Sequence, residues 1–221
     1  MAEPLLLAVE TSTRACSVAL GGGGRVFQRH REVERTHAAL LLPMIDAVLD
    51  EAGVKLAGLD AIVYGAGPGS FTGVRLAVAV AQGLGFAAGL PLVAVSSLAA
   101  VAEPILRSRP EATVVVAQDA RMGEIYTATC RYADGRAIAA VEDRLIAPET
   151  LEIGDDELLA GDAWSRIAVL RERAGDRQAL ATLPRAESML AAGAAALAGG
   201  TATDAAGARP RYLRNTVVRT P

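Results

Sequence analysis

Two hydrophobic periods alternate along this chain. Leu5 to Thr11 begins as an apolar run and closes at the turn-forming Thr11-Ser12-Thr13, the pattern of a buried strand. Ala15 to Leu20 predicts a second strand and Arg25 to Val33 a third, with Gly21 to Gly24 as a flexible turn between them. Three strands at hairpin spacing predict an antiparallel opening to a sheet. The period then lengthens. Thr36 is placed to cap a helix running to about Ala52, with Gly53 at the C′ position. Leu40, Leu41, Met44, Ile45, Val48 and Leu49 form its apolar stripe. Pro43 lies inside this helix and cannot donate to the Ala39 carbonyl, so a kink is expected.

Asp60 to Tyr64 reads as a short strand, followed by the loop Gly65 to Phe71 and a helix from Thr72 to Ala88 that Gly89-Leu90-Pro91 stops. Leu92 to Val95 is a further strand, and Ser96 or Ser97 caps a helix through Arg107. The order β-β-β-α-β-α-β-α is that of a ribonuclease-H-like unit. After about residue 110 the idea repeats more loosely. Thr113 to Gln118 is a strand, Glu124 to Tyr132 and Ala137 to Ile146 form a hairpin across Asp134-Gly135, and helices follow at about 164–174 and 185–199. The expectation is an α/β protein of two tandem lobes, 1–100 and 101–204, the second reduced, with residues 205–221 packing back on the first.

Composition removes several chemistries. The 221 residues are 52% hydrophobic and 21% charged, which is globular rather than disordered. Lys55 is the single lysine and sits in a polar stretch after a helix, so no P-loop lysine exists and Schiff-base chemistry is disfavoured. Cys16 and Cys130 cannot make a zinc site alone, and His30 and His37 form no HExxH or HxxxH pair. The N-terminal apolar run is too short for a signal or a membrane span, so a soluble cytoplasmic protein is expected, without a membrane partner.

The sharpest local motif is Gly65-Ala66-Gly67-Pro68-Gly69-Ser70-Phe71-Thr72-Gly73-Val74-Arg75. Its glycines permit positive φ and close backbone approach, and the following helix offers free N–H groups and a positive dipole end. Gly67, Gly69, Ser70 and Thr72, with Glu10 and Thr11 at the end of the first strand, are therefore weak candidates for holding an anion or nucleotide. Spacing alone favours the plainer reading, a tight strand-to-helix crossover. The loop is neither a Walker A sequence nor a nucleophile elbow, because Pro68 and Thr72 stand where the elbow needs glycines. Glu10, Asp60 and Asp119 lie at strand ends, where carboxylates hold Mg²⁺ or, more commonly, cap turns; Asp60 is read as a cap. His37 reads as a solvent-facing first-turn residue.

The helix from Thr72 to Ala88 is apolar nearly all round, with Arg75 and Gln82 as its polar interruptions. It is either covered by another element of the chain or is a contact surface for another protein, and the Leu and Met content of the first helix favours the contact. Asp119 and Arg121 pair with each other or with a partner. The segment Ala205 to Pro221 carries Arg209, Arg211, Arg214 and Arg219 and no acid, so the net −3 of the chain conceals a +4 tail on a −7 body. Such a tail touches RNA phosphates, docks on the acidic body or stays solvated.

Several segments together resemble the TsaB (YeaZ) family. They are Val9 to Thr13 with Cys16 to Leu20, His37 with Leu41 to Ile45, Gly67 to Arg75, Asp119 to Tyr126, and Pro210 to Asn215. The resemblance runs in order over nearly the whole chain. It implies an actin-like (ASKHA) fold and a role in forming N6-threonylcarbamoyladenosine at position 37 of tRNAs that read ANN codons. It further implies a subunit with no catalytic residue and no metal of its own. TsaD would be its heterodimer partner, and the ATPase TsaE would join through the complex. Contact with tRNA would be indirect, and the chain would form a homodimer when alone. No cofactor would be bound tightly, with weak ATP or ADP binding left open. Leu41, Met44, Ile45, Val48, Val74, Val78, Ala81 and Phe86 become interface candidates, and Arg75, Asp119, Arg121, Glu124, Tyr212 and Arg214 are further motif residues. Many relatives have Asp where this chain has Glu10. Two other readings stay open: an actin-like ATPase or kinase using Gly67 to Thr72, and, ranked last, a metallopeptidase-like protein.

Overall fold

The structure, a computed structural model, describes residues 3–180 and 183–214. Its first sheet is built around β1 (Leu6–Glu10), whose side chains are all buried because both faces are covered. β2 (Ala15–Gly22) pairs antiparallel with β1, and β3 (Arg25–Glu32) pairs with β2 at the sheet edge. The hairpin turn is only Gly23-Gly24, both at positive φ; Gly21 and Gly22 belong to the strand and pair with Val26 and Arg25. Arginines and glutamate on β3 leave this edge poorly suited to strand addition. β4 (Ala61–Gly65) and β5 (Leu92–Val95) add in parallel on the other side, giving the order β3-β2-β1-β4-β5.

Alternation along β1 sorts its residues between two cores. Leu7 and Val9 face α1 (His37–Ala52) and α2 (Phe71–Ala88), where Leu41, Met44, Ile45, Val48, Ala77, Val78 and Ala81 meet them. Leu6 and Ala8 face Ala186, Met189 and Leu190, where a 3₁₀ turn leads into the last described helix. Thr36 precedes α1 but makes no side-chain cap, since its backbone is not extended as a capping residue requires. On α2 the cap is Ser70 rather than Thr72, because the Ser70 Oγ accepts the Gly73 N–H at 3.1 Å.

The second sheet contains β6 (Thr113–Asp119), β7 (Ile125–Ala133), β8 (Arg136–Ile146) and β9 (Leu158–Ala160) in the order β8-β7-β6-β9. β9 is a three-residue strand parallel to β6, too short for an apolar period to announce it. Among the described residues, where the first lobe has α1 the second has a 3₁₀ turn, Pro148–Thr150, and its sheet has four strands. The expected helix at 164–174 is two, α4 (Ala163–Arg166) and α5 (Ala168–Ala174), separated by Ile167 in extended backbone. That at 185–199 is a 3₁₀ turn, Ala186–Met189, leading into α6 (Leu190–Ala198).

A division at residue 100 follows the sheets but not the helices. α3 (Ser97–Ser108) starts in the first lobe yet buries Leu98, Val101, Ala102, Ile105 and Leu106 against the second sheet. Conversely, residues 186–198 come from the second half and cover the back of the first sheet. The lobes therefore exchange helices. Cys16 and Cys130 are free and buried, their thiols pushed up by burial to about 11 and about 12. They are inert packing residues.

Two positions carry measurable consequences. A Cβ at Gly73 would overlap the Thr11 carbonyl oxygen, whereas one at Gly83 on the same helix would meet open space. Gly73→Ala should destabilise by about 1–3 kcal/mol, while Gly83→Ala should stabilise by about 0.5–1 kcal/mol; urea unfolding distinguishes them. Glu103 on α3 is 4% exposed, with Oε2 unpartnered and Arg107 at 3.8 Å from Oε1. Burial, then the charge of Glu187, raises its pKa above the ordinary 4.5. A carboxyl raised by folding stabilises the native state while protonated, and that contribution fades as pH rises past the unfolded value. Glu103→Gln should therefore raise the melting temperature more at pH 8 than at pH 5, and an equal shift at both would refute the assignment.

Candidate functional site

The carboxyl ends of parallel strands are where open α/β sheets place ligands. Here β1 ends in Glu10, beside the loop that leaves β4. Glu10 is fully buried. Its Oε1 accepts the Ser12 N–H, and its Oε2 accepts the Ser97 hydroxyl at 2.7 Å. Room for the long side chain comes from Gly65 on β4, where any Cβ would overlap the Glu10 carboxylate. Burial pushes the Glu10 carboxyl up, and the hydrogen bonds from Ser12 and Ser97 oppose that shift.

The rest of the loop closes on itself. Ser70 N–H donates to the Ser12 carbonyl at 2.7 Å, and the Thr11 hydroxyl donates to the Gly73 carbonyl at 2.7 Å. Ser97 N–H donates to the Gly67 carbonyl at 2.9 Å, and Gly69 packs against the Ser12 carbonyl. Gly67 takes a positive φ of 94°. Gly73 and Val74, at the start of α2, give their N–H groups to Ser70. Thus Glu10, Thr11, Gly67, Gly69 and Ser70 do come together: the Ser70 N–H and the Thr11 hydroxyl are engaged within the loop, the Ser12 Oγ is buried without a hydrogen-bond partner, and Glu10 occupies the space beside them. Thr72 is exposed in the first turn of α2. The geometry is that of a strand-to-helix crossover with the Glu10 carboxyl group set within it. Among the described residues no group of three or more His, Cys, Asp or Glu could hold a metal ion. Asp60 caps as read, its Oδ2 accepting the Leu5 N–H at 2.7 Å. His37 departs from the solvent-facing reading: its Nε2 is buried without a hydrogen-bond partner.

At the end of β6, Asp119 pairs with Arg121 at 3.2 Å and with Arg166 at 3.5 Å, while Asp162 accepts its N–H. Arg121 and Met122 both adopt left-handed backbone in the turn to β7. Arg214 reaches that turn, pairing with Glu124 at 2.7 Å and donating to the Ala120 carbonyl. The C-terminal segment therefore docks on the body. Gln82 donates to the Ala205 and Ala208 carbonyls, Tyr64 exchanges hydrogen bonds with the Arg209 backbone, and Arg211 N–H donates to the Ala66 carbonyl. Arg211 also pairs with Asp143 of β8 at 2.8 Å, and Asp143 accepts the Ser96 hydroxyl. Asp143 carries no motif and was not anticipated. Arg219 lies outside the described residues.

Tyr212 and Phe71 stack at 6.3 Å, and the Arg75 guanidinium lies 3.4 Å from the Phe71 ring centre while its Nε donates to the Tyr212 hydroxyl. The helix faces need a correction. Leu41, Met44, Ile45, Val48, Val74, Val78 and Ala81 are buried within this chain. Of the interface candidates, Phe86 alone is open, at 85% exposure. Phe71 (56%) and Leu42 (49%) join it and were missed. Helical phase carried the signal, since Leu42 lies off the 41-44-45-48 stripe. α2 is long and apolar enough to cross a membrane by length and composition, but one face of it packs on the sheet.

Comparison with known proteins adds the family. Residues 30–218 match the family model described as TsaD: tRNA N6-adenosine threonylcarbamoyltransferase. The tRNA threonylcarbamoyladenosine biosynthesis protein TsaB of Escherichia coli is 34% identical over 96% of this chain and 95% of its own length. The protein of the same name from Haemophilus influenzae is 47% identical over 55% of this chain and 51% of its length. The solved structure of YeaZ from Pseudomonas aeruginosa superposes with a TM-score of 0.85 at 39% identity, covering 95% of this chain and 100% of that one. With near-complete coverage in sequence and in structure, the chain belongs to the TsaB (YeaZ) family.

Proposed function

We propose that this chain is the non-catalytic subunit that supports a TsaD-type partner in forming N6-threonylcarbamoyladenosine at position 37 of ANN-decoding tRNAs, in the cytoplasm. The observation that carries the reading is the pairing of two features. The buried Glu10 side chain fills the space beside the crossover loop, and α2 presents Phe86 and Phe71 to solvent although one face of it is packed on the sheet. A protein built this way contributes a surface rather than a reaction centre. Exposed aromatic residues on a rigid helix are the kind of anchor that dominates protein–protein affinity. In this reading TsaE joins through the assembled complex, tRNA is met indirectly, and the same helix face pairs two copies of the chain when the partner is absent.

The pathway assignment is tested by the nucleoside profile of bulk tRNA after depletion of the chain. The threonylcarbamoyl nucleoside should disappear and return with the parent sequence. Phe86→Asp should restore it poorly while folding normally, with affinity for the partner reduced by about tenfold or more. Full rescue by Phe86→Asp would remove Phe86 from the interface.

The Glu10 side chain that fills the space beside the crossover loop supports a second expectation. Titration of the isolated chain with ATP and Mg²⁺ should show no tight binding and no hydrolysis. Sub-micromolar binding with turnover would favour the ATPase or kinase reading instead.

A further inference from the structure

Beside the exposed face of α2 lies an open cavity of about 250 Å³, bounded by α2 and the docked C-terminal segment. Arg75, Ala79 and Gln82 line it from the helix, and Arg209 and Tyr212 line it from the segment, over a floor that includes Val78. Positions 75, 79, 82 and 86 recur at helical spacing, so the cavity and exposed Phe86 share one stripe of α2.

Both arginines are held by neutral groups. Arg75 is stacked on Phe71 and bonded through Nε to the Tyr212 hydroxyl. Arg209 donates through Nη1 to the Ala206 and Ala208 carbonyls. Neither forms an ion pair with a carboxylate of the described residues, whereas Arg211 and Arg214 of the same segment each do. π faces and carbonyls orient a guanidinium without neutralising it. The cavity therefore presents two preoriented, uncompensated positive charges next to an apolar anchor. A protein laid along this stripe to cover Phe86 also covers the arginines, and burying an unpaired guanidinium is strongly unfavourable.

From this we infer that the partner protein that covers α2 inserts an acidic side chain, Asp or Glu, into the cavity between Arg75 and Arg209. The inference rests on the reading that α2 meets a TsaD-type partner and names the chemistry that partner must present. Tyr212 and the C-terminal segment then belong to the interface, because they form one wall of the cavity.

The test measures binding of the full chain to the purified TsaD-type protein of the same organism at low and high salt. Arg75→Gln and Arg209→Gln should each weaken binding by about tenfold and flatten its salt dependence, because a screened ion pair is lost. Phe86→Asp should weaken binding through lost apolar contact. Arginine variants that bind like the parent, with the same salt dependence, while Phe86→Asp binds poorly, would overturn the acidic insertion and leave the interface standing. No effect from any of the three would overturn the interface itself. Should Arg75→Gln release Tyr212 and lower the melting temperature, Arg209→Gln decides, as its side chain bonds only to its own segment's carbonyls. Sedimentation of the chain alone adds a last outcome. Arginine variants that change self-association but not partner binding would assign the carboxylate to a second copy and overturn the inference.

Discussion

A carboxylate without solvent must find its hydrogen bonds inside the protein, and Glu10 obtains them from two directions. Its own turn supplies the Ser12 N–H, and the start of α3 supplies the Ser97 hydroxyl. Because α3 is packed on the second sheet, this bond links the central strand of one lobe to a helix of the other. The same constraint demands Gly65 on β4, since only a residue without a Cβ leaves room for the longer acid. The crossover loop then closes through Thr11, Ser12, Ser70 and Gly73. In this chain the carboxyl end of β1 is a packed joint.

The lobes are joined a second time by the C-terminal segment. Arg211 and Ser96 converge on Asp143, a nearly buried carboxylate of β8, and Arg214 ties the segment to the turn between β6 and β7. Burial raises the Asp143 pKa, opposed by these partners, so the join depends on their remaining in place. The helix exchange adds to this, with α3 on the second sheet and α6 on the first.

Much of this was legible from residue order. The strand and helix succession of the first lobe follows from hydrophobic period, and the Gly67 to Arg75 and Asp119 to Tyr126 motifs carry the family. The Asp119–Arg121 pair was one of two readings left open, and the docked tail one of three. Other features left no local trace. β9 is too short to have a period, and Asp143 stands in an otherwise solvated strand. Which helix residues are exposed was not legible, because an apolar helix face does not declare which side the sheet will take: Leu41, Met44, Ile45, Val48, Val74, Val78 and Ala81 went inward, and Phe86, Phe71 and Leu42 outward.

The sequence by itself determined the element order, the reduced second lobe, the want of lysine and histidine chemistry, and membership of the family, because these depend on residue types and their spacing along the chain. Only the tertiary structure decided which carboxylates are satisfied, which helix face is covered, and which arginines of a basic tail are neutralised. Those outcomes depend on contacts between residues far apart in the chain, such as Tyr64 and Arg209, 145 positions apart. No local pattern encodes them.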